Sequence, residues 1–355
     1  MKLKCSNKLI LASICLLLAG CESVSYYSQA IFGQLSILSK REAIEDLIAD
    51  ERGSPELKAK LSTILEIRSF AEDELLLPVA NNYESYVDVE RPYVVWNVFA
   101  APEFSMNPIN WCYPVAGCVS YRGYFSEADA QAYAARLKED GLDVYVGGVS
   151  AYSTLGWFSD PVLNTIINHD DYQLAALLFH ELAHQLIYIP GDTEFNESFA
   201  TTIEREGLRR WLAANNVDAA ESRNIVQLTE LNTQRREEFV ALVSATIKQL
   251  ESIYASNDSE DSKRQSKIEA FHQMQRDYAE LRNSWDDYDA YDAWMSRELN
   301  NAQLATVATY FNWVPAFESI LEEQAYDLSL FYEEISAIAE LEPDERTYIL
   351  SSKIN

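Results

Sequence analysis

His180-Glu181-Leu182-Ala183-His184 concentrates more chemistry than any other segment of this chain. On a helix, histidines at i and i+4 project side by side from one face, so both imidazoles reach one metal ion with the intervening glutamate beside it. The chain holds four histidines, and two of them stand at this spacing. Such a set implies hydrolysis: the metal acidifies a water and polarises a carbonyl, while Glu181 takes the water's proton and later delivers it to the leaving amine. A packed helix with two hydrogen-bonded histidines is the bland alternative. Catalytic zinc keeps three protein ligands and an open position, and the segment after His184 offers Glu194, Glu197, Glu204 and Glu206. Glu197 is favoured as the third ligand, because the Pro190-Gly191 turn brings the start of the next helix back beside the end of the first. Glu204, seven residues later, shares its face and is placed to hydrogen-bond a ligating histidine or Thr201, or else is a solvated helix glutamate.

The elements that must hold these residues are legible around them. Tyr172 to Ile189 carries no Gly or Pro, Asp170 or Asp171 can cap its start, and Pro190-Gly191 ends it. Thr193 to Asn215 then reads as a second helix. Residues 24–75 read as helices, with helical spacing of apolar residues over Ala30 to Leu47 and Leu57 to Phe70. Between 92 and 160 the pattern turns to strands at Tyr93 to Phe99, Tyr113 to Tyr121 and Asp143 to Val149, with a helix at Ser126 to Asp140. From 220 to 345 the chain is helical, and the series Phe239, Val243, Ile247, Leu250, Tyr254 and Phe271, Met274, Tyr278, Leu281, Trp285 describe a long hairpin turning at 256–262. This hairpin is a structural arm, a cover for the cleft or the seat of a protein partner. The fold class expected is α+β, predominantly α-helical, as one domain over 21–355 with a mixed sheet beside the helix that carries His180.

The pair HELAH and NESFA resembles the gluzincin peptidases, whose third zinc ligand is the glutamate of an NE-x-x-A helix. Twelve residues separate His184 from Glu197, fewer than in the aminopeptidase N and thermolysin groups. A wider resemblance spans nearly the whole chain after its first residues, to a bacterial lipoprotein family named "Putative aminopeptidase". It is carried by Tyr27-Ser28-Gln29-Ala30, Arg91-Pro92-Tyr93-Val94-Val95-Trp96-Asn97, Tyr121-Arg122-Gly123-Tyr124-Phe125, Ala151-Tyr152-Ser153-Thr154-Leu155-Gly156-Trp157-Phe158, the metal motif and Val314-Pro315-Ala316-Phe317. The resemblance implies a zincin-like core, a zinc cofactor and a peptide or protein substrate. It also implies that the segment 151–161 lines the cleft, where an extended peptide adds by main-chain pairing. Zincins present a tyrosine or histidine to the oxyanion, and Tyr310, near the Asn300-Asn301 pair, is the candidate here. An aminopeptidase further needs a group for the substrate's ammonium, and Asp160 and Glu194 qualify by position alone. Endopeptidase action, or a structural zinc site in a non-catalytic envelope protein, are the alternatives. Retention of Glu181 speaks against the last, since a structural site has no use for a base.

The ends and the composition bound the setting. Lys2, Lys4 and Lys8 precede an apolar stretch, Leu9 to Ala19, too short to span a membrane permanently, and Leu18-Ala19-Gly20-Cys21 resembles a bacterial lipobox. Residues 1–20 are therefore expected to be a signal, with Cys21 lipidated; because Glu22 is not Asp, outer-membrane anchoring facing the periplasm is the favoured location. Only Cys112 and Cys118 then remain, and in an oxidising compartment they are expected to bond, two free thiols being the alternative. With 28 Lys and Arg against 56 Asp and Glu the net charge is −28. Such a surface disfavours nucleic acid and anionic headgroups.

Overall fold

The structure is a computed structural model that describes residues 24–113, 117–151, 159–215, 217–286, 288–307 and 313–354. Cys21, Tyr310, Tyr152 and Trp157 lie outside the described residues. The chain opens with helix α1 (24–39), strand β1 (Glu42–Ala43), α2 (Ile44–Ala49), α3 (Pro55–Asp73) and β2 (Ser85–Val87). The strand-rich part follows as β3 (Val95–Pro102), β4 (Trp111–Tyr113), β5 (Gly117–Val119), β6 (Arg122–Tyr124), α4 (Glu127–Glu139), β7 (Leu142–Val149) and β8 (Val162–Leu163). Helices then run α5 (Asp171–Leu186), α6 (Thr193–Ala214), α7 (Ala219–Ala255), α8 (Glu260–Ser284), α9 (Asp292–Met295), α10 (Asn301–Ala305), α11 (Val314–Glu323), α12 (Leu328–Ala339) and α13 (Pro343–Lys353). The architecture is α+β and mainly helical.

Local chemistry sets the helix starts. Asp170 and Gln173 form a capping box on α5, Asp192 accepts from Phe195 N at the start of α6, and Ser259 accepts from Ser262 N to start α8 after the 256–259 turn. The largest apolar core gathers the buried faces of α3, α5, α6, α11 and α12 around Phe179, Phe195, Phe199, Phe317 and Phe331. Gly207 makes the close packing of α6 workable: a Cβ there would meet the Phe179 ring at 2.7 Å and Leu75 at 2.8 Å.

Among the described residues three small sheets accompany the helices. β3 pairs antiparallel with both β6 and β7, and Trp96, Val98 and Ala100 alternate inward onto Tyr133 and Ala134 of α4. This sheet was expected beside the helix carrying His180, and here the structure differs. Its inner face is used up by α4 in an apolar cluster of its own, and the strands that share a core with α5 are the short β2 and β8, through Tyr86 and Val162. β2 pairs antiparallel with β1 and parallel with β8, so this second sheet is the mixed one. The run from Tyr113 to Tyr121 is not one strand either. Cys112 and Cys118 face each other across the β4–β5 pair and are bonded to each other, which folds the run into a hairpin.

α7 and α8 form the long hairpin around Phe239, Val243, Leu250, Ala270, Phe271 and Met274. It is fastened to the end of the β3–β7 sheet: Arg264 grips Glu103 with two bonds at 2.6 and 3.0 Å, and Lys267 reaches Asp143 at 2.6 Å. Asn301 completes the knot, its amide donating to the carbonyls of Pro102, Glu103 and Ser105 while its Oδ1 accepts from Tyr254. The unusual Asn300-Asn301 pair thus has a structural use, Asn300 capping α10 and donating to Val144 O.

Candidate metal centre

The centre is built on α5 and α6, which leave the Pro190-Gly191 turn side by side. Asn196 clamps the turn: its Oδ1 accepts from Ile189 N and its Nδ2 donates to Ile189 O, both at 2.8 Å. A side-chain amide that satisfies both polar groups of one backbone residue fixes two chain segments in one orientation. Glu197, the next residue, is thereby aimed back across α5. His180 Nε2 lies 3.3 Å from Glu197 Oε2, His184 Nε2 lies 3.5 Å from Glu197 Oε1, and the two Nε2 atoms are 3.2 Å apart. Among the described residues His180, His184 and Glu197 are the group that can hold a metal ion, their donor atoms lying within 4.8 Å of one another.

The four acidic candidates of α6 separate by face. Glu204 meets His180 Nδ1 at 3.0 Å, which turns the opposite ring nitrogen toward Glu197. Glu206 points away and is held by Arg209 and Arg210, each at 2.7 Å. Glu194 is not part of the cluster. Ser198, next to Glu197 in the chain, accepts from Trp313 N at 3.3 Å, which ties the start of α11 to α6.

Electrostatics here follow from burial. Burial alone would lower His180, but hydrogen bonds to Glu197 and Glu204 lift it to about 10. Burial and the charge on His180 press His184 down to about 4. One imidazole of the pair therefore keeps its extra proton and the other refuses it, so the cluster takes up a positive charge. A proton bridges two atoms, whereas three donors converge here. Two imidazole nitrogens and a carboxylate are a donor set for a divalent metal, and the residues present fit one. Glu181 is raised as well: burial pushes it up, His180 pulls it down, and Glu197, Asp160 and Glu204 push it up again. Glu197 is lowered overall, since His180, His184 and Arg236 of α7 outweigh its burial.

Behind Glu181 lies an arrangement with no local signal in the sequence. Asn82 donates to Gln185 at 2.9 Å and to Val79 O, and accepts from Asp160 N at 2.8 Å. Gln185 follows Glu181 by one turn, so this amide hub sets the 82–83 turn against the face of α5 that carries Glu181. Tyr83 N donates to Asp160 O at 2.8 Å, and the buried Tyr83 adopts φ 59°, a left-handed conformation rare for a bulky residue. Burial first, then the Glu181 and Asp160 carboxylates, raise its hydroxyl pKa well above the ordinary value. Asp160 itself is buried. Asn82, Tyr83, Gln185 and Arg236 are side chains around this centre that the residue pattern did not single out.

The family model described as "Putative aminopeptidase" matches residues 25–350. The chain belongs to this family. No curated protein and no solved structure matches it. For a member of an aminopeptidase family, the centre formed by α5 and α6 is the place where buried acid, base and metal-ligand types coincide among the described residues.

Proposed function

We propose that this chain is a zinc-dependent peptidase with a zincin-like core, hydrolysing peptides from a free amino terminus at the periplasmic face of the envelope, where lipidated Cys21 anchors it. The observation that carries the reading is the convergence of His180, His184 and Glu197 with Glu181 between the two histidines. His180, His184 and Glu197 would hold the metal. When bound, zinc supplies Lewis acidity, which makes water a competent nucleophile near neutral pH and polarises a carbonyl.

The remaining work falls to the chain's own groups. Glu204 keeps His180 in the tautomer and orientation that present Nε2. Glu181 acts as general base toward water and as acid toward the leaving amine, and its raised pKa suits both directions of proton transfer. Tyr310 is the proposed hydrogen-bond donor to the developing oxyanion. Asp160 stands as the carboxylate for the substrate's ammonium, because its charge is felt at Glu181 while Asn82 and Tyr83 fix its backbone. The acidic chain as a whole favours amine-bearing substrates over nucleic acid.

Glu181→Gln tests the reading. The amide keeps shape and removes the base, so zinc content and melting temperature stay at native values while hydrolysis of aminoacyl amides falls by roughly a hundredfold or more. Native turnover in that variant, or zinc-loaded native protein that cleaves neither aminoacyl nor internally quenched peptides, overturns it.

A further inference from the structure

Helix α1 (24–39) contains no Asp, Glu, Lys or Arg, in a chain with 84 charged residues of those types. One face accounts for its attachment to the body. Tyr26 stacks on Tyr113 and lies edge-on to Tyr124, with the Arg122 guanidinium 4.1 Å from its ring centre. Gln29 donates to Gly123 O and accepts from Phe125 N. Gly33 lies so close to Phe125 that a Cβ would stand 2.2 Å from the ring, and Ile37 is buried against Val87, Val89 and Leu163. The helix is therefore locked onto the strand-rich part.

Its opposite face is mostly exposed among the described residues, the contact of Tyr27 edge-on with Tyr113 lying at its margin. Val24, Tyr27, Ile31 and Leu35 fall on one stripe by helical spacing, with Phe32 flanking it, and they are 66, 40, 56, 51 and, for Phe32, 70 % exposed. An outward helix face in a protein this acidic ordinarily carries charge. Here it is apolar and neutral, and a contiguous exposed apolar patch marks an interaction surface. At 16 residues the helix is too short to cross a bilayer, and no helix of the described residues is long and apolar enough to do so.

We propose that this face lies in the surface of the bilayer that holds the chain, as a second attachment beside the lipid on Cys21. The occupant follows from continuity. Val24 comes three residues after Cys21 of the Leu18-Ala19-Gly20-Cys21 lipobox, so the start of the stripe is held within about 11 Å of the acylated residue. A membrane-surface helix needs an apolar face at the level of the headgroup and acyl boundary, and this one has it. Because α1 carries no basic residue, attachment works by burying apolar surface and needs no anionic lipid. Locked to the sheet on its other side, the helix sets one orientation of the body on the membrane. The inference rests on the anchor at Cys21 and is independent of the peptidase reading.

The test uses the full lipidated chain in phosphatidylcholine vesicles. Cys112 and Cys118 are bonded and Cys21 is acylated, so a nitroxide can be placed singly through Ile31→Cys, Phe32→Cys or Leu35→Cys, with Tyr348→Cys on α13, 75 % exposed in the native chain, as reference. Expected is several-fold higher collision with oxygen relative to a water-soluble nickel chelate at 31, 32 and 35 than at 348, unchanged by high salt. Ile31→Glu, a substitution at an exposed position that leaves the fold intact, should move the label at 35 into water. Equal chelate access at 32 and 348 overturns the proposal. So does shielding from both reagents that persists in detergent, which would mean that a second copy or another protein covers the face.

Discussion

Two places among the described residues bring carboxylates together against packed helices, and they balance charge in different ways. Where the hairpin meets the sheet, each acid has a cation: Glu103 has Arg264 at 2.6 Å and Asp143 has Lys267 at 2.6 Å. At the α5–α6 centre the four carboxylates Glu181, Glu197, Glu204 and Asp160 gather around two imidazoles, with protonated His180 and, more weakly, Arg236 the cations acting on Glu197. A matched knot is finished once it folds. An unmatched one retains a demand for positive charge, and a metal or an ammonium group answers it. Charge balance, more than burial or acidity alone, separates the structural site from the functional one.

The strongest way to break this contrast is Glu197→Ala. It should abolish stoichiometric zinc binding measured by metal analysis and with it hydrolysis, whereas Glu194→Ala should retain both; the reverse result would reassign the third ligand. Zinc should also raise the melting temperature of the native protein, by about 2.7 kcal/mol of stability at a hundred times Kd, and leave the Glu197→Ala protein unmoved.

At the matched knot the effect should be on folding alone. Lys267→Met leaves the half-buried Asp143 without its cation and should cost about 3 kcal/mol in denaturant unfolding, with zinc content native. Adding Asp143→Asn, which keeps an acceptor for Asn301 N, should recover most of that loss. A Lys267→Met protein with altered zinc stoichiometry would erase the distinction drawn between the two places.

Glu204→Gln should sharpen the comparison at lower amplitude. It weakens zinc roughly 10- to 100-fold without losing the site, as a group that orients a ligand does. Competition with a chelator of known affinity reads this directly, and complete loss would make Glu204 a ligand. The smallest effect concerns acid. The hydrogen bond from Arg264 holds Glu103 below the usual glutamate value of 4.5, so the stability it contributes is present above that pH and is lost as pH falls through the lower folded pKa. Arg264→Met should flatten that part of the acid unfolding curve, and an unchanged curve would remove Glu103 from the knot's energetics.

Several of these features were legible in the residues. The helices of the centre agree with their expected limits to within a few residues, because capping by Asp170 and termination at Pro190-Gly191 act locally. The hairpin was equally readable, since its period and its polar turn are local too, although the turn takes only 256–259 because Ser259 caps α8. The sheet's position was not. Strand pattern says that β3 and β7 bury one face, but α4, lying between β6 and β7 in the chain, takes that face before α5 can.

By itself the sequence determined the chemistry of the helix, because i and i+4 are neighbours on any helix, and it determined the neutral, apolar character of α1. Tertiary structure alone decided that Glu206 turns to arginines and that Asn82 carries Tyr83 and Asp160 to Glu181. It also decided which face of α1 is left outward. The reason is physical: contacts between residues distant in the chain depend on how whole faces are shared among competing elements, and no local pattern records which element takes each face.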